Sequence, residues 1–168
     1  MITLITNDLF YRLGIEPFQS FSFGVDAKDK HIVIVDDGIN CIYFVDVTNI
    51  VEDAYFLADP MVFLLRNILF ITSRKSHPDY ISNVLKKIIH PFYLPPRLSN
   101  YETTVLIDLA ANVPKTISIK KREIKYKSWH NFKLAAFNKL GIKNNAMFAI
   151  LFNSWKNMAH PKIHQSYL

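Results

Sequence analysis

The residues of this chain best suited to chemistry are basic and lie close together. Between residues 114 and 144 there are eight lysines, one arginine and a single acidic residue, Glu123. This segment carries a net charge of +8, whereas the whole chain carries +6 and residues 1–113 carry −4. Such clustering is typical of a surface that binds phosphate groups, and it indicates nucleic acid as a partner. A solvated basic face without a specific ligand is the alternative.

Side chains that could support catalysis or bind a metal are few. Cys41 is the only cysteine, which excludes an intrachain disulfide and a cysteine-cluster zinc site. His160 and His164 are four residues apart, but Pro161 between them disfavours a continuous helix and no acid accompanies them. The sequence contains no glycine-rich phosphate loop, nucleophile elbow or paired-acid motif. We therefore expect no metal, no cofactor and no enzymatic activity.

The composition predicts a folded protein without a membrane span. Apolar residues make up 50% of the chain, which is enough to bury a core in one domain or in two small ones. The apolar run Met61–Leu65 is broken by Arg66 and Asn67, far short of the roughly 18 residues that a spanning helix needs. The N-terminus reaches Asp8 before any signal-peptide core develops. We expect a cytoplasmic protein that does not bind membranes.

Strand and helix patterns alternate over residues 1–96, which favours an α/β layer fold. The pattern predicts strands at Ile2–Thr6, His31–Val35 and Asn67–Ile71, and helices at Leu9–Ile15, within Thr48–Leu65 and at Pro78–Ile89. The unbroken apolar runs are typical of strands covered on both faces, so two buried parallel strands are expected. The sequence Asp36-Asp37-Gly38 is a hairpin signal, and it leaves an added antiparallel pair open.

Prolines mark a boundary between two units of the chain. Three prolines occur between residues 90 and 96, and each removes a backbone donor and restricts the residue before it. Beyond them, Ser99 and Glu102 have the spacing of a capping box at the start of an apolar, helical stripe. We therefore divide the chain into residues 1–96 and residues 97–168.

In the second unit, some segments have a clear helical pattern, whereas others have a pattern typical of strands. Residues 116–119 and 123–126 alternate as strands do, against helix propensity. From Tyr126 to Leu140 a helical pattern returns, and Gly141 is placed to end it. Asn145–Met158 forms a further apolar stripe. This last helix is either a dimer face or the completion of the small unit's core.

The helix predicted over residues 126–140 has two unlike sides. Trp129 and Phe132 lie on the side expected to pack into the core. The other side carries Lys127, His130, Asn131 and Leu134. One side can therefore pack while the other binds.

Several residues between Leu98 and Lys143 form a pattern that extends over the whole segment. They are Leu98-Ser99, Glu102, Val105-Leu106, Leu109, Ile124, Ser128 and Lys139-Leu140-Gly141-Ile142. With them the segment resembles, without a gap, the helix-turn-helix of the LuxR/NarL/FixJ class of bacterial transcription regulators. Trp129 stands where that class has valine, and Phe132 where it has histidine. In the second helix, Ser118-Ile119 and Arg122 replace the usual Ile-Ala and Leu.

The resemblance implies that Tyr126–Asn138 is a recognition helix that enters the major groove of double-stranded DNA. It implies base contacts from His130 and Asn131, since asparagine can pair bidentately with adenine. Phosphate contacts are expected from a second group, Lys127, Ser128 and Lys133, with Lys120, Lys121 and Arg122 as additional candidates.

The first unit resembles a response-regulator receiver at residues 5–8, Ile-Thr-Asn-Asp, and 12–15, Arg-Leu-Gly-Ile. This resemblance implies a flavodoxin-like fold with Asp36 in the phosphoacceptor place. The acid pair that should hold Mg²⁺ falls on Thr6-Asn7, however, and Pro95 offers no ammonium where the receiver has lysine. We predict a degenerate receiver that phosphate does not switch, with Asp36 in a structural role.

Together these patterns predict an α/β chain with a receiver-like (flavodoxin-like) domain at 1–96 and a small all-α helix-turn-helix domain of about four helices at 97–168. The expected function is sequence-specific, phosphorylation-independent transcription regulation on DNA, as a homodimer or with another regulator. The alternative is a co-regulator or antagonist that does not bind DNA and acts through protein contacts. A response regulator driven by phosphorylation is disfavoured.

Overall fold

The structure is a computed structural model that describes residues 1–15, 30–50, 59–90 and 92–167. The strands are β1 (Ile2–Ile5), β2 (Ile32–Asp36), β3 (Cys41–Asp46) and β4 (Ile68–Ser73). The helices are α1 (Leu9–Ile15), α2 (Pro60–Asn67), α3 (Pro78–Ile89), α4 (Asn100–Ala110), α5 (Lys115–Arg122), α6 (Tyr126–Leu140), α7 (Asn145–Ser154) and α8 (His160–Tyr167), with a π-helical turn at Trp155–Ala159. The α/β fold class is confirmed.

The four strands form one mixed sheet in chain order, β1-β2-β3-β4. β1 is parallel to β2, whereas β3 is antiparallel to both β2 and β4. The hairpin suggested by Asp36-Asp37-Gly38 therefore forms, and it places β3 between the two strands that we expected to be parallel. A flavodoxin-like sheet has parallel strands in the order 2-1-3-4-5. The order and directions of the described strands differ from it.

Side chains that alternate along the strands supply two separate cores. One face of the sheet, with Ile32, Ile34 and Phe44, packs against α3. The other face, with Val33, Val35, Tyr43 and Val45, packs against helices from both halves of the chain. The sheet is thus the middle of three layers, which explains why β2 is buried along its whole length.

The core on the second face joins the two predicted units. It contains strand residues and α2 residues together with Leu106 of α4, Phe137 of α6 and Phe148 of α7. Residues 1–96 and 97–168 therefore share one hydrophobic core, although residues 92–99 between them form neither helix nor strand.

The apolar stripe predicted at 145–158 packs against the sheet. Trp155 is completely buried, stacks on Phe63 of α2 with ring centroids 5.9 Å apart, and donates its indole N–H to the Pro60 carbonyl at 2.8 Å. Tyr43 of β3 hydrogen-bonds Ser154 at 2.7 Å. The stripe thus contributes to the shared core, and not only to the core of the small unit.

Of two further predictions, one helix is confirmed in part and one strand-like segment is helical. The helix predicted within 48–65 begins at Pro60 with Asp59 as its N-cap, and residues 51–58 lie outside the described residues. The strand-like alternation around residues 116–119 was misleading, because that segment is the helix α5.

Among the helices of the described segments, none combines the length and apolar character needed to cross a bilayer.

Candidate nucleic-acid interface

α6 presents a continuous exposed stripe on the side away from the core. Its side chains recur every three or four residues, as one face of a helix requires: Lys127, His130, Asn131, Leu134 and Asn138, all of them exposed. The buried side consists of Trp129, Ala136, Phe137 and Leu140. The predicted packing of Trp129 into the core is therefore confirmed. Phe132 lies at the boundary, half-buried and stacked on Tyr101 with ring centroids 5.1 Å apart.

α5 and α6 are two consecutive helices separated by only three residues. α5 ends at Glu123 in the left-handed conformation, φ +53°, and the Ile124 amide donates to the Ile119 carbonyl at 3.2 Å. α6 ends at Gly141 in the same conformation, φ +72°, where glycine carries no steric cost. The C-terminal ends of both helices are thus fixed by backbone geometry.

A buried polar group ties α4, α5 and α6 together. We call Asp108, Ser118, Arg122 and Trp129 the Asp108 cluster. The Ser118 hydroxyl, fully buried, donates to Asp108 at 2.6 Å and accepts the Trp129 indole N–H at 2.9 Å. Arg122 donates to the same carboxylate at 3.1 Å. Every polar group in this contact has a partner, as burial demands.

The Asp108 cluster stabilises a carboxylate that is largely removed from solvent. Burial opposes ionisation of Asp108, but the Arg122 and Ser118 hydrogen bonds outweigh it and hold the pKa of this carboxyl below its ordinary value. A polar network thus joins the three helices.

The predicted phosphate contacts fall into two groups. Lys120, Lys121 and Lys127 are exposed, whereas Ser128 and Lys133 are half-buried. The Lys133 ammonium lies 3.4 Å from the Asn145 amide oxygen. Arg122 is already paired with Asp108, so its guanidinium is committed to holding α5 rather than to a ligand.

One basic residue beside the stripe was not singled out from the sequence. The Lys115 ammonium, at the first turn of α5, lies 3.3 Å from the ring centroid of Tyr126 and 5.0 Å from that of Trp129. Its proximity holds the pKa of the Tyr126 phenol below its ordinary value. The contact brings a positive charge to the first turn of α6. No local pattern indicates it, because the two residues belong to different helices.

Another basic residue of the segment serves the fold. Lys139, near the end of α6, donates to the buried Glu102 carboxylate at 2.7 Å, and Glu102 also completes the predicted capping box with Ser99. Burial opposes ionisation of Glu102, but the hydrogen bonds from Lys139 and the Ser99 amide hold its pKa below the ordinary value. Arg122 and Lys139 therefore account for two of the nine basic residues in 114–144.

Asp36, the residue for which the receiver resemblance implies the phosphoacceptor position, belongs to a group of hydrogen bonds and ion pairs. Asp36 is 1% exposed and accepts hydrogen bonds from the Thr6 hydroxyl at 2.7 Å, the Arg74 Nε at 2.9 Å and the Gly38 amide at 3.0 Å. Arg74 also pairs with Asp8, and this contact holds the pKa of Asp8 below its ordinary value. We call Thr6, Asp8, Asp36 and Arg74 the Arg74 cluster.

The Arg74 cluster forms because three strands run in the same direction. Thr6 and Asp8 follow β1, Asp36 ends β2 and Arg74 follows β4, so all of them meet at one edge of the sheet. The guanidinium lies between two carboxylates and pairs with both of them. Asp36 is thereby hydrogen-bonded through both carboxylate oxygens and closed to solvent.

The remaining candidates form no site in the part of the chain that the structure describes. The rings of His160 and His164 lie 6.4 Å apart, and the described residues contain no group of three or more side chains suited to a metal ion. The exposed stripe of α6 is thus the candidate site with the clearest geometry. The chain matches no protein-family model, no curated protein and no solved structure.

Proposed function

We propose that this chain binds double-stranded DNA sequence-specifically through α6 and acts as a transcription regulator. The observation that carries the proposal is the exposed stripe of α6, in which His130 and Asn131 are flanked by Lys127 and face away from the core. A helix of this kind fits the major groove, where asparagine can read adenine and lysines can hold phosphates.

The short connection between α5 and α6 supports this proposal. DNA-binding helix-turn-helix units join two helices by three or four residues, and the second helix contacts the bases. Residues 123–125 provide that spacing, and the Asp108 cluster holds α5 to α4 and α6. The unusual second helix of the sequence is therefore compatible with DNA binding, because its polar residues satisfy one another.

The charge distribution supports the same partner. Segment 114–144 carries +8, and pairing with Asp108 and Glu102 removes only Arg122 and Lys139 from what a phosphate backbone can reach. Glu123 is the single acid of the segment. Association should therefore depend steeply on salt, as counterion release from DNA requires.

Phosphorylation has no part in the proposed mechanism. The buried Asp36 carboxylate is paired with the guanidinium of Arg74 at the sheet edge and is closed to solvent. We propose that residues 1–96 regulate by protein contacts or simply complete the fold, and that the regulator works as a dimer on paired half-sites.

The test is selection from a random-sequence duplex library at two salt concentrations. The parent chain is compared with a His130→Ala/Asn131→Ala variant, and with Asn83→Ala as a matched control on an exposed position of α3. We expect the parent and Asn83→Ala to enrich one motif with two-fold symmetry, and the double variant to enrich none.

Two results would contradict the proposal. Weak, salt-sensitive binding without a motif would leave only a basic surface. Absence of DNA binding at low salt by a folded chain would favour the co-regulator that acts through protein contacts.

A further inference from the structure

The exposed stripe of α6 contains one residue that cannot form a hydrogen bond. Leu134 is 43% exposed and belongs to neither hydrophobic core. Its neighbours on the stripe are polar or basic, with Asn131 one turn before it and Asn138 one turn after it. An apolar side chain thus lies in the middle of the surface proposed to contact base edges.

The major groove offers one apolar feature to such a side chain. Adenine, guanine and cytosine present only donors and acceptors there, whereas thymine also presents its C5-methyl group. A leucine placed against any other base edge would desolvate polar atoms without replacing their hydrogen bonds. Thymine is therefore the base that Leu134 favours.

The spacing on α6 relates this contact to that of Asn131. Residues three apart on a helix have Cβ atoms about 5–6 Å apart on one face. Base pairs rise by about 3.4 Å each. Asn131 and Leu134 therefore face base pairs one or two steps apart, and Asn131 prefers adenine.

We infer that α6 selects an A·T-containing half-site, in which Leu134 contacts a thymine methyl group one or two base pairs from the adenine bound by Asn131. The inference rests on the proposed function and specifies the class of DNA sequence that the same surface takes. It makes Leu134 a specificity residue, distinct from the lysines that hold the backbone.

The experiment replaces thymines with deoxyuridine in the duplex that the parent chain enriches. Deoxyuridine removes only the C5-methyl group and leaves every hydrogen-bonding atom in place. At one thymine of the half-site, we expect the substitution to weaken parent binding by about fourfold, the effect of one buried methyl group. Leu134→Ala should bind the thymine and deoxyuridine duplexes equally.

Two controls accompany this comparison. Lys127→Ala, which removes a proposed phosphate contact, should bind all duplexes more weakly but retain the fourfold difference between thymine and deoxyuridine. Far-UV circular dichroism and thermal unfolding of Leu134→Ala should match the parent, because this side chain lies outside both cores.

The possible failures are distinguishable. A sequence-specific parent whose motif lacks A·T pairs, or a deoxyuridine effect that persists in Leu134→Ala, would overturn the inference and leave the proposed function standing. Failure of the parent to enrich any motif would overturn both.

Discussion

Arg74 illustrates how a single side chain can pair with two acidic residues that are distant from it in the sequence. Its guanidinium lies between Asp8, which is partly exposed, and Asp36, which is closed to solvent. A buried carboxylate is tolerated only when a cation and hydrogen-bond donors compensate for its lost hydration. The structure therefore assigns Asp36 a partner that the sequence patterns did not identify.

We predict that Arg74→Met destabilises the fold by about 3 kcal/mol, because it leaves the Asp36 charge buried without its cation. Urea unfolding should show this loss, whereas Arg97→Met, which changes an exposed arginine of the connecting segment, should stay close to the parent. Combining Arg74→Met with Asp36→Asn should recover part of the loss. Equal stability of the Arg74→Met and Arg97→Met proteins would contradict the assignment.

The stripe of α6 leads to a second prediction at the scale of single residues. Lys127→Ala should weaken binding to all duplexes by a similar factor and reduce the slope of log affinity against log salt by about one. Asn131→Ala should instead abolish the preference for the target over a random duplex, because it removes a base contact. Titrations of both variants at several salt concentrations separate these outcomes. Unchanged discrimination by Asn131→Ala would remove this residue from the proposed interface.

Local sequence patterns predicted the contacts or exposure of some residues but not the ion pairs of Arg74. The capping box of Ser99 and Glu102 was predictable because both partners lie within one turn, and the exposed stripe of α6 because a helical period fixes it. Arg74 is separated from Asp36 by 38 residues and from Asp8 by 66. No local pattern encodes a contact that only the sheet topology brings about.

At the scale of elements, α5 shows tertiary contacts overriding a local preference. Its β-branched residues alternate with polar ones, which is typical of a strand. In the structure the segment is helical, and Ser118 enters the Asp108 cluster while Ile117 remains exposed. The helix is thus selected by what its residues contact.

This dependence on the Asp108 cluster is testable. Ser118→Ala leaves the Trp129 indole N–H without its acceptor and removes the shorter of two hydrogen bonds to one Asp108 oxygen, so we expect a loss of about 1–3 kcal/mol in the free energy of unfolding. Thr116→Ala, an exposed change on the same helix, should have a much smaller effect. Guanidinium unfolding followed by tryptophan fluorescence measures both. A Ser118→Ala protein as stable as Thr116→Ala would show that the cluster does not hold α5.

The ion pair between α4 and α6 predicts a dependence of stability on pH. The pKa of Glu102 in the folded chain lies below its ordinary value, so the folded state favours the ionised form. This contribution is fully present above about pH 4.5, near the ordinary glutamate pKa, and is lost as the pH falls through the lowered value. Lys139→Met removes one cause of the shift. Urea midpoints between pH 3 and 7 should therefore fall less steeply with acid in Lys139→Met than in the parent, and parallel curves would contradict this role.

At the scale of the whole molecule, the two predicted units pack against each other through one hydrophobic core. Trp155 and Phe148 of the helical half pack on the same side of the sheet as Val33 and Tyr43 of the first half. Residues 92–99, between the two predicted units, form neither helix nor strand, but a boundary in the chain does not require a boundary in the core. Composition and local periodicity cannot reveal which faces will be joined.

The shared core predicts that the chain unfolds in one cooperative transition. Two reporters lie in different halves: Cys41 is the only cysteine and is buried at the start of β3, whereas both tryptophans, Trp129 and Trp155, lie in residues 97–168. In a Trp155→Phe protein, fluorescence reports on Trp129 within the Asp108 cluster, and pulsed thiol labelling of Cys41 reports on the sheet.

Both signals should change at the same urea concentration, because opening the helical half exposes the sheet face that it covers. The Trp155→Phe protein should unfold at lower urea than the parent, since its core loses part of a fully buried indole. A Cys41 that remains protected after the Trp129 signal has changed would mean that the sheet folds independently. The helical half would then be a separable DNA-binding unit, and regulation would have to act through the segment that connects the two. Coincident transitions would mean that any ligand or partner of the sheet also stabilises α6, because both belong to one folding equilibrium.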